Sequence, residues 1–230
     1  MTPKKTKILI IEDNENIAEL IALYIKNAGF LYFFANNGSD ALKLFKKEEP
    51  ELVILDLTLP FTDGFKLLRE LRELSVTPII ILSARAELSD KLSAFEAGVD
   101  DYITKPFEPQ ELIARIRSTL RRFQDYKKPV QTELSNISVD IKNRLIKYHG
   151  KKLNLPPREF ELLLYFIKQP NVVFSREKLI DDIWGLEYMG ETRAVDAHVK
   201  NLRKKLNHPN SWKIKTIWGI GYMFVNESDS

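Results

Sequence analysis

The stretch Val53-Ile54-Leu55-Asp56-Leu57-Thr58-Leu59-Pro60, with Asp63-Gly64 just beyond it, decides how this chain is read. Three apolar residues run straight into a carboxylate, with no polar alternation among them. Such a run reads as a strand buried on both faces, as in a parallel sheet. Asp56 then stands at the carboxyl edge of that sheet, where open α/β folds hold their ligands.

Lys7–Ile11, Pro78–Leu82 and Asp101–Thr104 read as strands of the same kind, and Leu31–Ala35 as an aromatic-rich, less buried one. Helical periodicity fills the gaps between them. The spacing predicts helices over Asn14–Ala28, over Ser39–Lys47 with Ser39 as cap, and over Gly64–Leu74, Ser89–Ala97 and Pro109–Arg122. This β-α alternation implies a five-stranded parallel sheet covered on both faces. The flavodoxin-like order 2-1-3-4-5 is its natural solution, with a crevice between strands 1 and 3.

Composition narrows the function classes. The chain has no Cys, which excludes a disulfide framework, thiolate metal sites and a Cys nucleophile. The apolar segment after the basic Met1–Lys7 start is short and soon acidic, so it reads as a strand and not a signal peptide; no apolar run approaches a membrane span, and the absence of Cys fits a reducing cytoplasm. Charge is uneven: residues 1–128 carry a net −1 and residues 129–230 a net +4, which tilts the second half toward an anionic partner.

The strand ends carry the chemistry. Strand 1 delivers Glu12-Asp13, strand 3 Asp56, strand 4 Ser83 and strand 5 Lys105-Pro106. Carboxylates packed together repel, and a hard cation such as Mg²⁺ relieves them while leaving room for phosphate oxygens. With an ammonium and a hydroxyl alongside, the set suits phosphoryl transfer to an aspartate. Taken singly, Ser83, Tyr102 and Lys105 read as a loop hydroxyl, half-buried packing and a solvated charge. Their convergence at separate strand ends favours one site.

These residues resemble the receiver domain of bacterial two-component response regulators. The likeness rests on Glu12-Asp13, Asp56-x-x-x-Pro60-x-x-Asp63-Gly64, Ser83-Ala84 and Asp101-Tyr102-x-x-Lys105-Pro106, and it covers residues 7–122. It implies that Asp56 accepts a phosphoryl group from a sensor histidine kinase. It implies that Glu12, Asp13, Asp56 and the backbone carbonyl of Thr58 hold Mg²⁺ or Mn²⁺. Ser83 and Lys105 would each engage a phosphoryl oxygen, and Tyr102 would turn inward as the aromatic switch. The Lys105-Pro106 bond would be cis, and Thr58 and Arg85 would tune the lifetime of the phosphoryl group. Receivers of this kind dimerise when phosphorylated, through a face that carries Lys91, Phe95, Glu96, Asp100, Asp101, Glu111, Ala114, Arg115 and Arg117 here. Across a two-fold axis, Lys91 is expected to pair with Glu111, and Asp100 or Asp101 with Arg115.

A polar stretch ending at Pro129 reads as a linker over 124–132, between a receiver over 1–123 and a second domain over 133–230. Ile137–Ile141, Arg144–Tyr148 and Lys151–Leu155 form an antiparallel meander. Helices follow over Pro157–Lys168, Ser175–Trp184 and Thr192–Leu206, then a hairpin of Trp212–Trp218 and Tyr222–Val225. In the third helix Val195, Val199, Leu202 and Leu206 make the core stripe. At about 100° per residue, the opposite face carries Arg193, Ala197, Lys200, Asn201 and Lys204, with Arg203 and Lys205 on its flanks.

Helices followed by a Gly-turn hairpin make an α+β winged helix-turn-helix, whose third helix enters the major groove of double-stranded DNA. The motifs Pro157-Arg158-Glu159-Phe160, Val195-Asp196-x-His198-Val199-x-x-Leu202-Arg203 and Thr216-Ile217-Trp218-Gly219-x-Gly221-Tyr222 resemble the OmpR/PhoB family. The likeness implies phosphate or groove contacts for Arg193, Lys200 and Arg203, and tandem half-sites bound by a dimer. Asn201 is expected to read adenine and Ala197 to touch a thymine methyl. Loop Gly185–Glu191 resembles the segment that meets RNA polymerase. Trp218 stands where many relatives carry a basic wing residue, and is expected to pack on the domain core or the receiver instead.

The sequence therefore reads as a phosphorylation-dependent transcription regulator, with no turnover of a diffusible substrate beyond its own aspartyl phosphorylation and dephosphorylation. The alternatives are a receiver that acts without phosphorylation, a flavin-binding flavodoxin-like protein, and an Asp-nucleophile phosphohydrolase. Acidic Glu12-Asp13-Asn14-Glu15 argues against a flavin phosphate loop, and Thr58 stands where the phosphohydrolase needs a second acid.

Overall fold

A computed structural model describes residues 5–60, 62–125, 137–141, 144–185, 188, 191–206 and 212–226. The chain divides into two units, Met1–Phe123 and Gln124–Ser230. No described helix is long and apolar enough to cross a membrane.

In the first unit, β1 (Lys7–Ile11), β2 (Leu31–Ala35), β3 (Leu52–Leu55), β4 (Ile79–Ser83) and β5 (Asp101–Thr104) pair in parallel in the order β2-β1-β3-β4-β5. Every residue of β3 and β4 is buried, as an unalternating apolar run requires. The intervening helices are α1 (Glu15–Asn27), α2 (Gly38–Glu48), α3 (Gly64–Leu74), α4 (Leu88–Glu96) and α5 (Pro109–Asp125). Ile8, Ile10, Ile54, Ile80, Leu82 and Ile103 form one core with Ile21 and Ile25 of α1 and Leu112 and Ile116 of α5.

Caps decide where helices start. Asn14 caps α1, accepting from the Ile17 amide at 3.2 Å, so the acidic pair before it stays available. The cap of α2 is Asn37, which accepts from the Asp40 amide at 2.9 Å; Ser39, the expected cap, lies inside the helix. Asp63 caps α3. Gly64 is needed for close approach, because a Cβ there would lie 2.5 Å from the Leu57 carbonyl oxygen. Helix α5 continues to Asp125, since no Gly or Pro stops it after Arg122. The first two positions expected in the linker are thus helical, and positions 126–132 lie outside the described residues.

In the second unit, β6 (Ile137–Asp140), β7 (Leu145–Tyr148) and β8 (Lys151–Leu153) form the antiparallel meander. The helices are α6 (Pro157–Lys168), α7 (Arg176–Ile183) and α8 (Ala194–Leu206). Helix α6 is the centre of the unit. Its Phe160, Leu163, Leu164, Phe166 and Ile167 are all buried, each contributing about 1.5–3 kcal/mol. The hairpin of β10 (Trp212–Ile217) and β11 (Gly221–Asn226) gains a strand that the sequence reading missed, β9 (Val173–Ser175), paired with β11. Three residues carry too short a pattern to stand out, but Gly221 marks the place: any side chain there would collide with the Phe174 backbone.

Candidate functional site

Backbone bonds beyond the strand ends place the first candidate site. The Asp56 amide donates to the Ile11 carbonyl at 2.9 Å, and the Lys105 amide to the Ser83 carbonyl at 2.9 Å. These bonds hold the side chains after β1, β3, β4 and β5 at one edge. Lys105 Nζ lies 2.6 Å from Glu12 Oε2 and 2.5 Å from Asp56 Oδ2, with both carboxylates only 2 % exposed. Thr58 closes the other side: its amide and hydroxyl donate to Asp56 Oδ1 at 2.8 and 2.6 Å. That hydroxyl contact was missed, because spacing says nothing about which way a loop side chain turns. The Lys105-Pro106 bond is cis.

The two buried carboxyls respond in opposite directions. Desolvation raises the Glu12 pKa, and the single ammonium of Lys105 does not fully offset it. Desolvation also pushes Asp56 upward, but the bonds from Lys105 and Thr58 outweigh it and leave that carboxyl below the ordinary range. Asp13 is exposed, and one oxygen each from Glu12, Asp13 and Asp56 lie within 4.8 Å of one another. An all-oxygen, clustered donor set of this kind fits a hard divalent cation such as Mg²⁺ or Mn²⁺.

Ser83 is fully buried, and its hydroxyl accepts from the Arg85 amide at 3.4 Å. Tyr102 is also buried and turned inward, donating to the Arg85 carbonyl at 2.7 Å. Burial pushes its phenol up to about 12. The Arg85 backbone therefore links the two expected switch residues, a role the sequence reading did not give it.

The residues of the expected dimer face differ in burial and in their contacts within the chain. Asp100 is 0 % exposed; its carboxylate takes Arg72 at 2.7 Å and the Ile79 amide at 2.8 Å, so it ties α3 and β4 within one chain. Phe95 is core, on the inner side of the short α4. Asp101 is buried too, and Arg115 bonds both Asp101 and Glu111 of its own chain at 2.7–3.0 Å. The pairing of Arg115 in the structure is thus internal. Desolvation lowers the Arg115 pKa, but these acidic partners outweigh it and leave the pKa raised. Glu96, Ala114 and Arg117 are exposed, and Lys91 and Glu111 half-buried.

The second candidate site is α8. Its stripe of Val195, Val199, Leu202 and Leu206 is buried, and Arg193, Lys200 and Lys204 are exposed. Ala197, expected at a thymine methyl, and Arg203, expected at phosphates or groove edges, have other surroundings. Ala197 is 5 % exposed, because the first half of α8 is buried over a wider arc that includes Ala194 and His198. Arg203 turns to the hairpin, donating to the Ile214 carbonyl at 2.7 Å and Thr216 Oγ1 at 2.9 Å. Asn201 is half-buried. Trp218 is 90 % exposed, projecting from the hairpin turn rather than packing on this unit's core. Most of loop Gly185–Glu191 lies outside the described residues.

Residues 8–117 match the family described as response regulator receiver domain, and residues 150–224 the one described as transcriptional regulatory protein, C terminal. The uncharacterized transcriptional regulatory protein YclJ of Bacillus subtilis is 40 % identical over 223 residues, which span 95 % of this chain and 98 % of YclJ. The transcriptional regulatory protein ResD of the same organism is 38 % identical over 230 residues, 96 % of each chain. Among solved structures, a RitR mutant superposes with a TM-score of 0.78 at 25 % identity, over 96 % of this chain and 99 % of that one. The response regulator DrrB of Thermotoga maritima, an OmpR/PhoB homologue, is 32 % identical with a TM-score of 0.51, over 97 % and 100 % of the two chains.

Proposed function

Because this chain belongs to the OmpR/PhoB-type response regulators, a receiver domain followed by a DNA-binding transcriptional regulatory domain, we propose that Asp56 is the phosphoacceptor that controls its binding to DNA. Phosphorylation-dependent regulation is the standard mechanism of the family. The observation that carries the assignment is the crevice itself: Asp56 Oδ2 is held at 2.5 Å by Lys105, beside Glu12 and Asp13.

Asp56, kept ionised by Lys105 and Thr58, attacks the phosphorus of a sensor kinase's phosphohistidine. A P–O bond to the carboxylate forms as the P–N bond to the imidazole breaks. Lys105 shifts from its two carboxylates to pair with a phosphoryl oxygen, and Ser83 donates to another. A divalent cation held by Glu12, Asp13, Asp56 and the Thr58 carbonyl would neutralise charge on the equatorial oxygens. Glu96, Ala114, Arg117, Lys91 and Glu111 are the surface through which phosphorylated receivers pair. Two effector domains then meet tandem half-sites, which raises effective concentration without new DNA contacts. Arg193, Lys200 and Lys204 take phosphates of the duplex, and Asn201 reads a base. RNA polymerase meets loop Gly185–Glu191, and the protein works in the cytoplasm.

Incubation with acetyl phosphate and Mg²⁺, followed by intact mass and gel filtration, tests the reading. The wild type gains one phosphoryl group and dimerises, while Asp56→Asn does neither. An unmodified wild type would favour a receiver that acts without phosphorylation. Asn201→Ala should relax sequence preference more than it lowers binding to arbitrary DNA.

A further inference from the structure

Assigning α8 to DNA leaves one of its residues unexplained. Asp196 lies in the first turn of that helix, among basic positions, where a carboxylate repels a phosphate backbone. Its contacts account for it. Asp196 Oδ1 accepts from Arg176 Nε at 2.7 Å and from the Tyr222 hydroxyl at 2.7 Å. Arg176 opens α7, and Tyr222 lies in β11, the second strand of the wing hairpin. Two guanidiniums face the Tyr222 ring, Arg176 at 5.1 Å and Arg203 at 5.7 Å from its centroid. Arg203 comes from α8 and also grips β10 at Ile214 and Thr216. Both wing strands and α7 are therefore tied to α8 by directional, charged contacts. Burial and the Asp196 carboxylate push the Tyr222 phenol up to about 12, so it remains a donor at neutral pH.

We propose that Asp196 is a positioning residue for sequence reading: through Arg176 and Tyr222 it fixes the wing and α7 against α8, and in doing so it weakens indiscriminate attraction to DNA. The proposal rests on α8 being the DNA-reading helix. Its two effects have opposite signs, which separates it from a plain stability role. Removing the charge should tighten binding to any duplex, because an anion leaves the basic face and Arg176 is released toward phosphates. Losing the tie should reduce the preference for one sequence, because the wing and α8 no longer meet the duplex in one fixed geometry.

The test uses the full chain and two duplexes: one selected by the wild type from a random-sequence library, and its scrambled counterpart. Asp196→Ala, which removes both the charge and the accepting oxygen, should bind the scrambled duplex about threefold tighter and lower the selected-to-scrambled ratio about tenfold. Tyr222→Phe, which keeps every charge, should lower the ratio while changing scrambled binding less than about twofold. Equal weakening on both duplexes, or an unchanged ratio in Asp196→Ala, overturns the proposal. If Asp196→Ala does not fold by thermal melting, an unchanged ratio in Tyr222→Phe overturns it alone. Lys200→Ala tests the premise separately. A loss on both duplexes upholds α8 as the DNA helix, and no change on either removes that premise whatever Asp196 does.

Discussion

The receiver crevice and the effector unit both bury ionised groups, but they balance them differently. In the crevice one ammonium, Lys105, serves two buried carboxylates while a third, Asp13, stands exposed beside them. Among the described residues of the effector unit, two buried carboxylates have at least one cation each. Glu161 takes both Arg158 at 2.9 Å and Arg144 at 3.2 Å, and buried Glu159 takes Lys205 from α8 at 2.6 Å. Buried charge lacking a full set of partners is costly, so the crevice stays receptive to an added cation or to a group that rearranges its bonds. Matched pairs have no such pull and act as ties. One such tie, Lys205 to Glu159, joins α8 to α6.

Deleting the central cation in each region gives the largest contrast. Lys105→Ala leaves Glu12 and Asp56 facing each other in a desolvated pocket, and should destabilise the receiver by about 3 kcal/mol at pH 7. Added Mg²⁺ should restore most of that loss in thermal melting, while phosphoryl uptake from acetyl phosphate stays defective. A Mg²⁺ response no larger than that of the wild type would break the comparison.

Arg158→Ala is the matching deletion in the effector unit. It removes bonds to Glu161 and to the Ile183 carbonyl at 2.7 Å, but Arg144 remains on Glu161. The expected loss is about 2 kcal/mol. Mg²⁺ should not restore it, since the remaining cation already answers the carboxylate. Chemical denaturation with and without the metal checks this, and a metal-dependent recovery would mean that the effector network is less evenly balanced than its distances say.

The two regions also differ in how far the sequence disclosed them. Strand order and crevice were legible because β-α alternation implies a parallel sheet, and the residue after each buried strand then emerges at one edge. Asp56, Glu12 and Lys105 stand out only together, because each follows a separate strand and none marks a site alone. Directions of side chains off the strands were not legible. Nothing in the spacing says that Asp100, just before β5, turns inward to Arg72 while Asp101, its first residue, turns to Arg115. In α8, a single stripe correctly gave Val195, Val199 and Leu202, yet it put Ala197 on the outward face and Arg203 on its flank. Burial of a small residue and the reach of a long one depend on neighbours from α7 and the hairpin, which helical periodicity cannot see.

The smallest expected effect isolates the imbalance itself. In the folded receiver, burial raises the Glu12 carboxyl above its unfolded value, the effect Lys105 only partly offsets. Such a group favours folding most below its unfolded pKa of 4.5 and progressively less as pH climbs through the folded one. At pH 7 the ionised Glu12 therefore subtracts from stability, whereas Asp56, with its lowered pKa, adds stability above 3.8 that is lost only as pH falls through its folded value. Glu12→Gln should raise the metal-free stability at pH 7 by less than about 1 kcal/mol, read by chemical denaturation. It should also remove part of the decline in stability as pH climbs above 4.5, and reduce the stabilisation that Mg²⁺ provides. The same substitution at Glu161, where two guanidiniums already answer the charge, should lower stability at pH 7. Opposite signs from one chemical change in the two units would establish that the crevice carries an unbalanced carboxylate; a loss of stability in both would place Glu12 among the ties.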